Sequence, residues 1–345
     1  MAEILTAFLG RLPLRAVRRV ARRPLTSVFY HLVNDARLPH VAPLYSYKPR
    51  AAFERDLEFL ARHYALVGHD EVVAAAEGRA SLPPDAAQVS FDDGFAECHD
   101  VVRPLLVKHG VPCTFFLVPN LLDNRALMHR NTAACLLERL AGLAEPDVAQ
   151  VCGALARERG LQLEGRGALR RWILALRWPD RAELEAACRA LRFDPAAYAT
   201  ERRPYLTVEQ ARRLRDDGFT LGAHTLDHPE LDALPWETVE RQVVESCRFV
   251  SDLAGRARVP FAITFNGVTL DRDRLDALRG SSGAIDLVYD TNNLREERPW
   301  IVNRIACDSA VGDRPGRSNL EDVIRSAHLL EPARALARRL KGRPR

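Results

Sequence analysis

Seven or eight short strand-like runs alternate with helix-like segments along this chain, and that rhythm leaves few folds open. The runs are Val28-Phe29-Tyr30-His31, Leu66-Val67, Val89-Ser90-Phe91, Cys113 to Val118, Phe219 to Ala223, Val259 to Thr264, Ile285 to Tyr289 and Ile301 to Ile305. Between them, Arg50 to His63 carries Phe53, Leu57 and Leu60 on one helical face. Asp70 to Ala76, Ala96 to Lys108, Pro235 to Leu253 and Asp271 to Arg279 also read as helices. Such alternation predicts a parallel sheet, either a barrel or a doubly wound sheet. Cys113 to Val118 is continuously apolar, as befits a strand buried on both faces. Val89 and Phe91 instead alternate with Gln88 and Ser90, the period-two pattern of a half-apolar strand.

The rhythm breaks once. From Leu121 to about Arg202 the chain is rich in Ala, Leu, Arg and Glu, with almost no strand signal. Thr132 to Leu143, Asp147 to Arg157, Gly167 to Leu176 and Arg181 to Leu191 read as helices of an insertion. It folds over a site or stands aside as a peripheral lobe. The α/β pattern resumes at Thr207, which with Gln210 forms a capping box. The expected organisation is a basic N-terminal helical segment (1–25), a discontinuous α/β domain (26–119 and 203–315), the helical insertion (120–202) and a basic C-terminal helix or tail (316–345).

The 345 residues carry a net charge of only +4, with no recognisable module for nucleic acid, so nucleic-acid binding is not expected. Seven scattered cysteines without a C-x-x-C pair read as buried thiols in a reducing, cytoplasmic setting. Leu5, Phe8, Leu9 and Leu12 make an apolar stripe followed by Arg15, Arg18, Arg19, Arg22 and Arg23. Charge that follows the apolar run is not the order of a secretory signal. The preferred reading is a helix packed on the domain; the competing one is a basic amphipathic helix peripheral to an anionic membrane. The arginine-rich C-terminus reads as a solvated end.

Two stretches carry chemistry. Asp92 and Asp93 stand between a strand and Gly94, at the carboxyl end where parallel α/β folds bind ligands. Adjacent carboxylates there repel unless a cation or a shared proton relieves them, although Asp-Gly is also a common turn. His224-Thr225-Leu226-Asp227-His228 follows another strand, and i, i+4 spacing on a helical turn places both rings on one face. A polar loop that happens to hold two histidines is the plainer alternative. Joined, the two stretches suggest one carboxylate and two imidazoles around a metal with an open position.

Ser-Phe-Asp92-Asp93-Gly94 resembles the first motif of polysaccharide deacetylases with a NodB-type domain, and His224 to His228 resembles their H-[ST]-x-x-H motif. Tyr30-His31 and the Phe53 helix resemble the family's opening segment. The resemblance covers roughly 26–119 and 204–306. It implies an irregular (β/α) barrel of seven or eight strands and metal-assisted hydrolysis of an acetamide on a sugar, oligosaccharide or lipid-linked glycan. Asp92 would be the general base, and Asp93, His224 and His228 the ligands of one divalent ion. Zinc leads, with cobalt, nickel or manganese as alternatives. Asp92→Asn would then keep metal and fold while losing hydrolysis.

The sequence departs from the family at two places. The third motif reads Phe261-Ala262-Ile263-Thr264-Phe265-Asn266-Gly267, without its proline and with one residue extra. Phe265 and Asn266 are expected in a reshaped substrate wall. The late L-x-H motif that supplies a general acid has no counterpart; His31, His129 and His328 are candidates, and Arg304 is a substrate-side replacement for that motif. The alternative from another class is a catalytically silent metal- and carbohydrate-binding protein of the same fold.

Overall fold

In the computed structural model the described residues are 14–21, 23–309 and 318–340. Strands β1 (Leu25–Tyr30), β2 (Ala65–Leu66), β3 (Ala86–Phe91), β4 (Cys113–Leu117), β5 (Thr220–Ala223), β6 (Val259–Ala262), β7 (Ile285–Asp290), β8 (Ile301–Asn303) and β9 (Ile305–Ala306) pair in parallel. Their order is β8-β7-β6-β5-β4-β3-β1-β9, with β2 beside β3. The two ends of that order, β8 and β9, are consecutive in the chain, and Arg304 alone separates them. One short segment therefore lies on β7 at one end and on β1 at the other, and draws the sheet into a nearly closed (β/α) barrel.

The alternation in β3 has an unexpected meaning. All six of its residues are buried. Val89 and Phe91 join the core under the helices, where Tyr30, Phe53 and Phe91 pack with ring centroids 5.2–5.4 Å apart. Gln88 and Ser90 face the barrel interior, not water. Gln88 Nε2 donates to the Tyr289 hydroxyl (3.1 Å), and the Ser90 hydroxyl accepts from Arg304 (3.1 Å). A polar core of this kind persists only because its groups find partners. Gly222 on β5 is required by close packing: a Cβ there would meet the Phe116 ring at 2.5 Å.

Most predicted helices form, with shifted ends. Arg50–His63 is as expected, and the Thr207–Gln210 capping box is made reciprocally. The run after Asp93 is not one α-helix: a π-helical turn, Cys98–Val102, leads into Arg103–His109. The insertion holds one helix more than expected, Pro195–Arg202, started by Asp194 as N-cap and Pro195 in the first turn.

The insertion leaves the barrel after β4 and returns before β5, on the side where the strands end. It has its own apolar cluster, including Leu136, Leu155, Leu169 and Ile173. A third cluster, with Leu32, Val41, Phe95, Val118 and Tyr205, joins it to the loops after β1 and β3. Asn131 Nδ2 donates to His40 O (2.8 Å), and Trp178 N donates to Glu230 Oε2 (2.9 Å) in the loop after β5. The insertion thus walls the mouth of the barrel.

At the opposite ends of the sequence, Leu5, Phe8, Leu9 and Leu12 lie outside the described residues. Within Leu14–Ala21, Leu14 and Val17 are buried. Arg18 donates to His63 O (2.9 Å), pairs with Asp85 (3.0 Å) and covers the Tyr64 ring. The expected solvated end begins at Arg334, whose side chain and those after it lie outside the described residues; the helix before it is packed. Leu320–Leu340 is a helix whose Leu320, Ile324 and Ala327 enter the barrel core. Just before it, buried Lys48 bonds Asn319 Oδ1 (2.6 Å) and Asp56 (3.1 Å), while the Ser318 hydroxyl and Tyr30 hydroxyl also donate to Asp56. No described helix is long and apolar enough to cross a membrane.

Candidate active site

Parallel register brings the key residues to one level. Tyr30 pairs with Phe91 across β1 and β3, so the next residues, His31 and Asp92, emerge side by side. Leu117 pairs with Ala223 across β4 and β5, and His224 follows directly. Gly94, at φ +66°, turns the chain away from the strand axis, and Asp93 itself is left-handed (φ 70°).

The histidine pair does not lie on a helical turn, as i, i+4 spacing alone suggests. It lies on an irregular turn in which Thr225 (φ 61°) and His228 (φ 58°) are left-handed. A β-branched residue there is strained by about 1–3 kcal/mol and persists only where its surroundings fix it. Here the Thr225 hydroxyl donates to His224 O (2.6 Å) and accepts from His228 N (2.9 Å). Gln242 Oε1 accepts from Leu226 N and Asp227 N, and the Asp227 carboxylate is held by Asn120 and Gln242 at 2.6 Å each.

That turn presents both rings to Asp93. His224 Nε2 stands 3.5 Å and His228 Nε2 3.1 Å from Asp93 Oδ1, and all three side chains are buried. One ligand atom from each lies within 4.8 Å of the others. His224 Nδ1 lies 2.8 Å from the Ala262 carbonyl, so it is the protonated nitrogen and Nε2 presents a lone pair. Among the described residues Asp93 Oδ1 has no hydrogen-bond partner, nor does His228 Nδ1. An acceptor facing an acceptor in a buried cluster is what a cation resolves, so this donor set fits a divalent metal. Burial opposes ionisation of Asp93, but positive charge at His228 and N–H bonds from His224 and His228 outweigh it and hold the carboxyl well below the usual carboxylate range; with the imidazoles neutral, a bound cation takes that part.

Asp92 is tied differently. Arg304 grips it with two bonds, Nη1 to Oδ1 at 2.6 Å and Nη2 to Oδ2 at 2.8 Å. Arg304 is fully buried, enclosed by the rings of Phe29, Phe116 and Tyr289 with its guanidinium carbon 4.4–5.8 Å from their centroids. Burial raises the Asp92 pKa, and Arg304 more than reverses this, so the carboxylate stays ionised below its usual range. Each carboxylate oxygen keeps a second lone pair free. Arg304, expected on the substrate side, is fully buried and bonded to both oxygens of Asp92.

His31 is the candidate that the fold places at the site. Its Nδ1 is 2.7 Å from Asp308 Oδ2, just beyond β9, and its backbone N–H donates to Asp308 Oδ1 (2.8 Å). Burial lowers the His31 pKa, but Asp308, then Asp93 and Asp92, raise it to about 10. His129 lies in the insertion near the Leu176 carbonyl, and His328 is buried beside the Arg18 segment, so neither reaches the mouth. Phe265 is half-exposed and packs on the His228 ring (4.9 Å). Asn266 is exposed, and its Oδ1 accepts from Val268 N (3.3 Å), so it shapes the loop.

The family model described as polysaccharide deacetylase matches residues 184–276, which include His224 and His228. No curated protein matches the chain in sequence. Among solved structures, the fold is similar to Streptococcus pyogenes deacetylase PplD (14% identity, 87% of this chain, 97% of that one, TM-score 0.53). It is also similar to IcaB from Ammonifex degensii (15% identity, 89% and 97%, TM-score 0.51). A polysaccharide deacetylase from Bacillus cereus matches with 13% identity over 88% of this chain and 68% of that one, TM-score 0.51. The polysaccharide deacetylase model thus covers the histidine motif and its surroundings, and the barrel as a whole shares its fold with these solved structures.

Proposed function

We propose that this protein is a metal-dependent hydrolase that removes an N-acetyl or similar small acyl group from a sugar, an oligosaccharide or a lipid-linked glycan. The observation that carries this reading is the meeting, at one barrel mouth, of the Asp92 carboxylate paired with Arg304, a buried Asp-His-His cluster and the His31 imidazole paired with Asp308.

Asp93, His224 and His228 would hold a divalent ion, zinc by donor set, which would supply Lewis acidity for an acyl oxygen and for a bound water. Asp92, fixed by Arg304, accepts the proton of the attacking water. His31, kept protonated by Asp308, donates a proton to the departing sugar nitrogen. Phe265 offers a ring face to the sugar at the rim. A catalytically silent binding protein would need neither the buried Arg304–Asp92 pair nor the His31–Asp308 pair. Seven free, buried cysteines suit a reducing compartment.

The test is acetate release by the zinc-loaded protein across N-acetylated sugars. Folded, zinc-bound protein that releases none from any of them would favour the silent reading.

The His31 assignment makes a separate prediction. Asp308→Asn removes the charge that raises the His31 pKa, so that pKa falls from about 10 toward its ordinary value. His31 then loses its proton at lower pH, and the alkaline limb of the kcat/KM profile should move down by more than about one unit. An unmoved limb would remove His31 from the acid role.

A further inference from the structure

Tyr45 lies in the loop between β1 and the Arg50–His63 helix, in no motif that the sequence singles out. Its ring packs on His31, with centroids 5.2 Å apart, and on the apolar cluster that joins insertion to barrel. Its hydroxyl is buried and has no hydrogen-bond partner among the described residues. A buried hydroxyl without a partner costs about 1–3 kcal/mol, so natural structures rarely leave one idle. Burial, then the nearby carboxylates of Asp93, Asp308 and Asp92, hold this phenol well above its ordinary pKa, so it is a donor.

A donor with nothing to bond, held beside His31, awaits an acceptor that arrives with a ligand. The carboxylates do not fill that role, because none comes within hydrogen-bond reach of it. We propose that the Tyr45 hydroxyl donates a hydrogen bond to the acyl oxygen of the bound substrate, and that this bond strengthens as negative charge gathers there. This rests on the deacetylase reading above. The ring contact with His31 holds the Tyr45 ring in place before substrate arrives, and a donor placed in advance is the condition for favouring the transition state over the ground state.

Tyr45→Phe keeps the ring and removes the donor. Its kcat for acetate release should fall about 100-fold, the usual cost of one oxyanion donor, with KM within about twofold. Zinc content and thermal midpoint serve as controls for folding. Calorimetric titration of acetate into both zinc-loaded proteins gives a readout besides turnover, and the variant should bind acetate several-fold more weakly. Wild-type kcat in the variant, or a loss confined to KM as for a sugar-hydroxyl contact, would overturn the proposal. If the wild type releases no acetate, the deacetylase reading fails and the titration alone judges Tyr45: equal acetate affinities overturn it, and a weaker variant sustains the acyl contact.

Discussion

Alanine at Asp93, His224 or His228 is expected to strip the protein of its divalent ion and abolish turnover. Each side chain is buried, and each supplies one atom to the same cluster. None has an equivalent in reach: Asp92 is committed to Arg304, and the His31 imidazole to Asp308. Loss of even a supporting bond to a ligand commonly costs 10–100-fold in metal affinity, so loss of a ligand should cost at least ~10²-fold. Elemental analysis after dialysis checks this, and full zinc retention in all three variants would sink the assignment. The same cluster should respond to removal of the ion from the unaltered chain. An ion present at about 100 times its dissociation constant stabilises the folded state by about 2.7 kcal/mol, so a chelator should lower the melting midpoint measurably. Each of the three alanine variants, having lost the ion, should show little chelator response in the same measurement.

Both chemical motifs were legible because each is local: strand, then ligand, then turn. The strands were legible too, since Phe115, Phe116, Leu221 and Val288 sit on short apolar runs bounded by glycine or proline. What pattern alone missed is non-local. His31 and Asp308 are 277 residues apart, and only closure of the barrel by β8 and β9 brings them together. Nothing periodic marks Arg304, whose charge is tolerated inside the barrel because Asp92, Ser90 and three aromatic rings surround it. Gln88 and Ser90 look like a solvent face and line a polar interior instead. One signal was available for His31: in a parallel barrel, the residue just after the first strand ends beside the residue just after its sheet neighbour, Asp92.

Asp92→Asn is expected to lower kcat by ~10²–10⁴-fold, the range for loss of a general base, and to weaken the fold as well. The sequence alone suggests an isosteric change that leaves the fold intact. The structure adds a consequence, because Asp92 is also the counter-ion of a fully buried guanidinium. The amide keeps one acceptor oxygen for Arg304 but removes the charge, and the second oxygen becomes an NH₂ group that faces a donor. Breaking a buried pair on one side typically costs about 3–5 kcal/mol, since the partner charge remains desolvated. The contacts of Arg304 with Phe29, Phe116 and Tyr289 and its bond to Ser90 offset part of this. Denaturant unfolding should therefore show a midpoint shift toward lower stability, alongside a zinc content near that of the wild type. Adding Arg304→Met to Asp92→Asn removes the stranded charge and should recover stability while leaving the protein inactive. That pattern separates the two roles of Asp92. Near-normal turnover in Asp92→Asn would mean another group takes the proton, and unchanged stability would mean that the Arg304 charge is already neutralised without it.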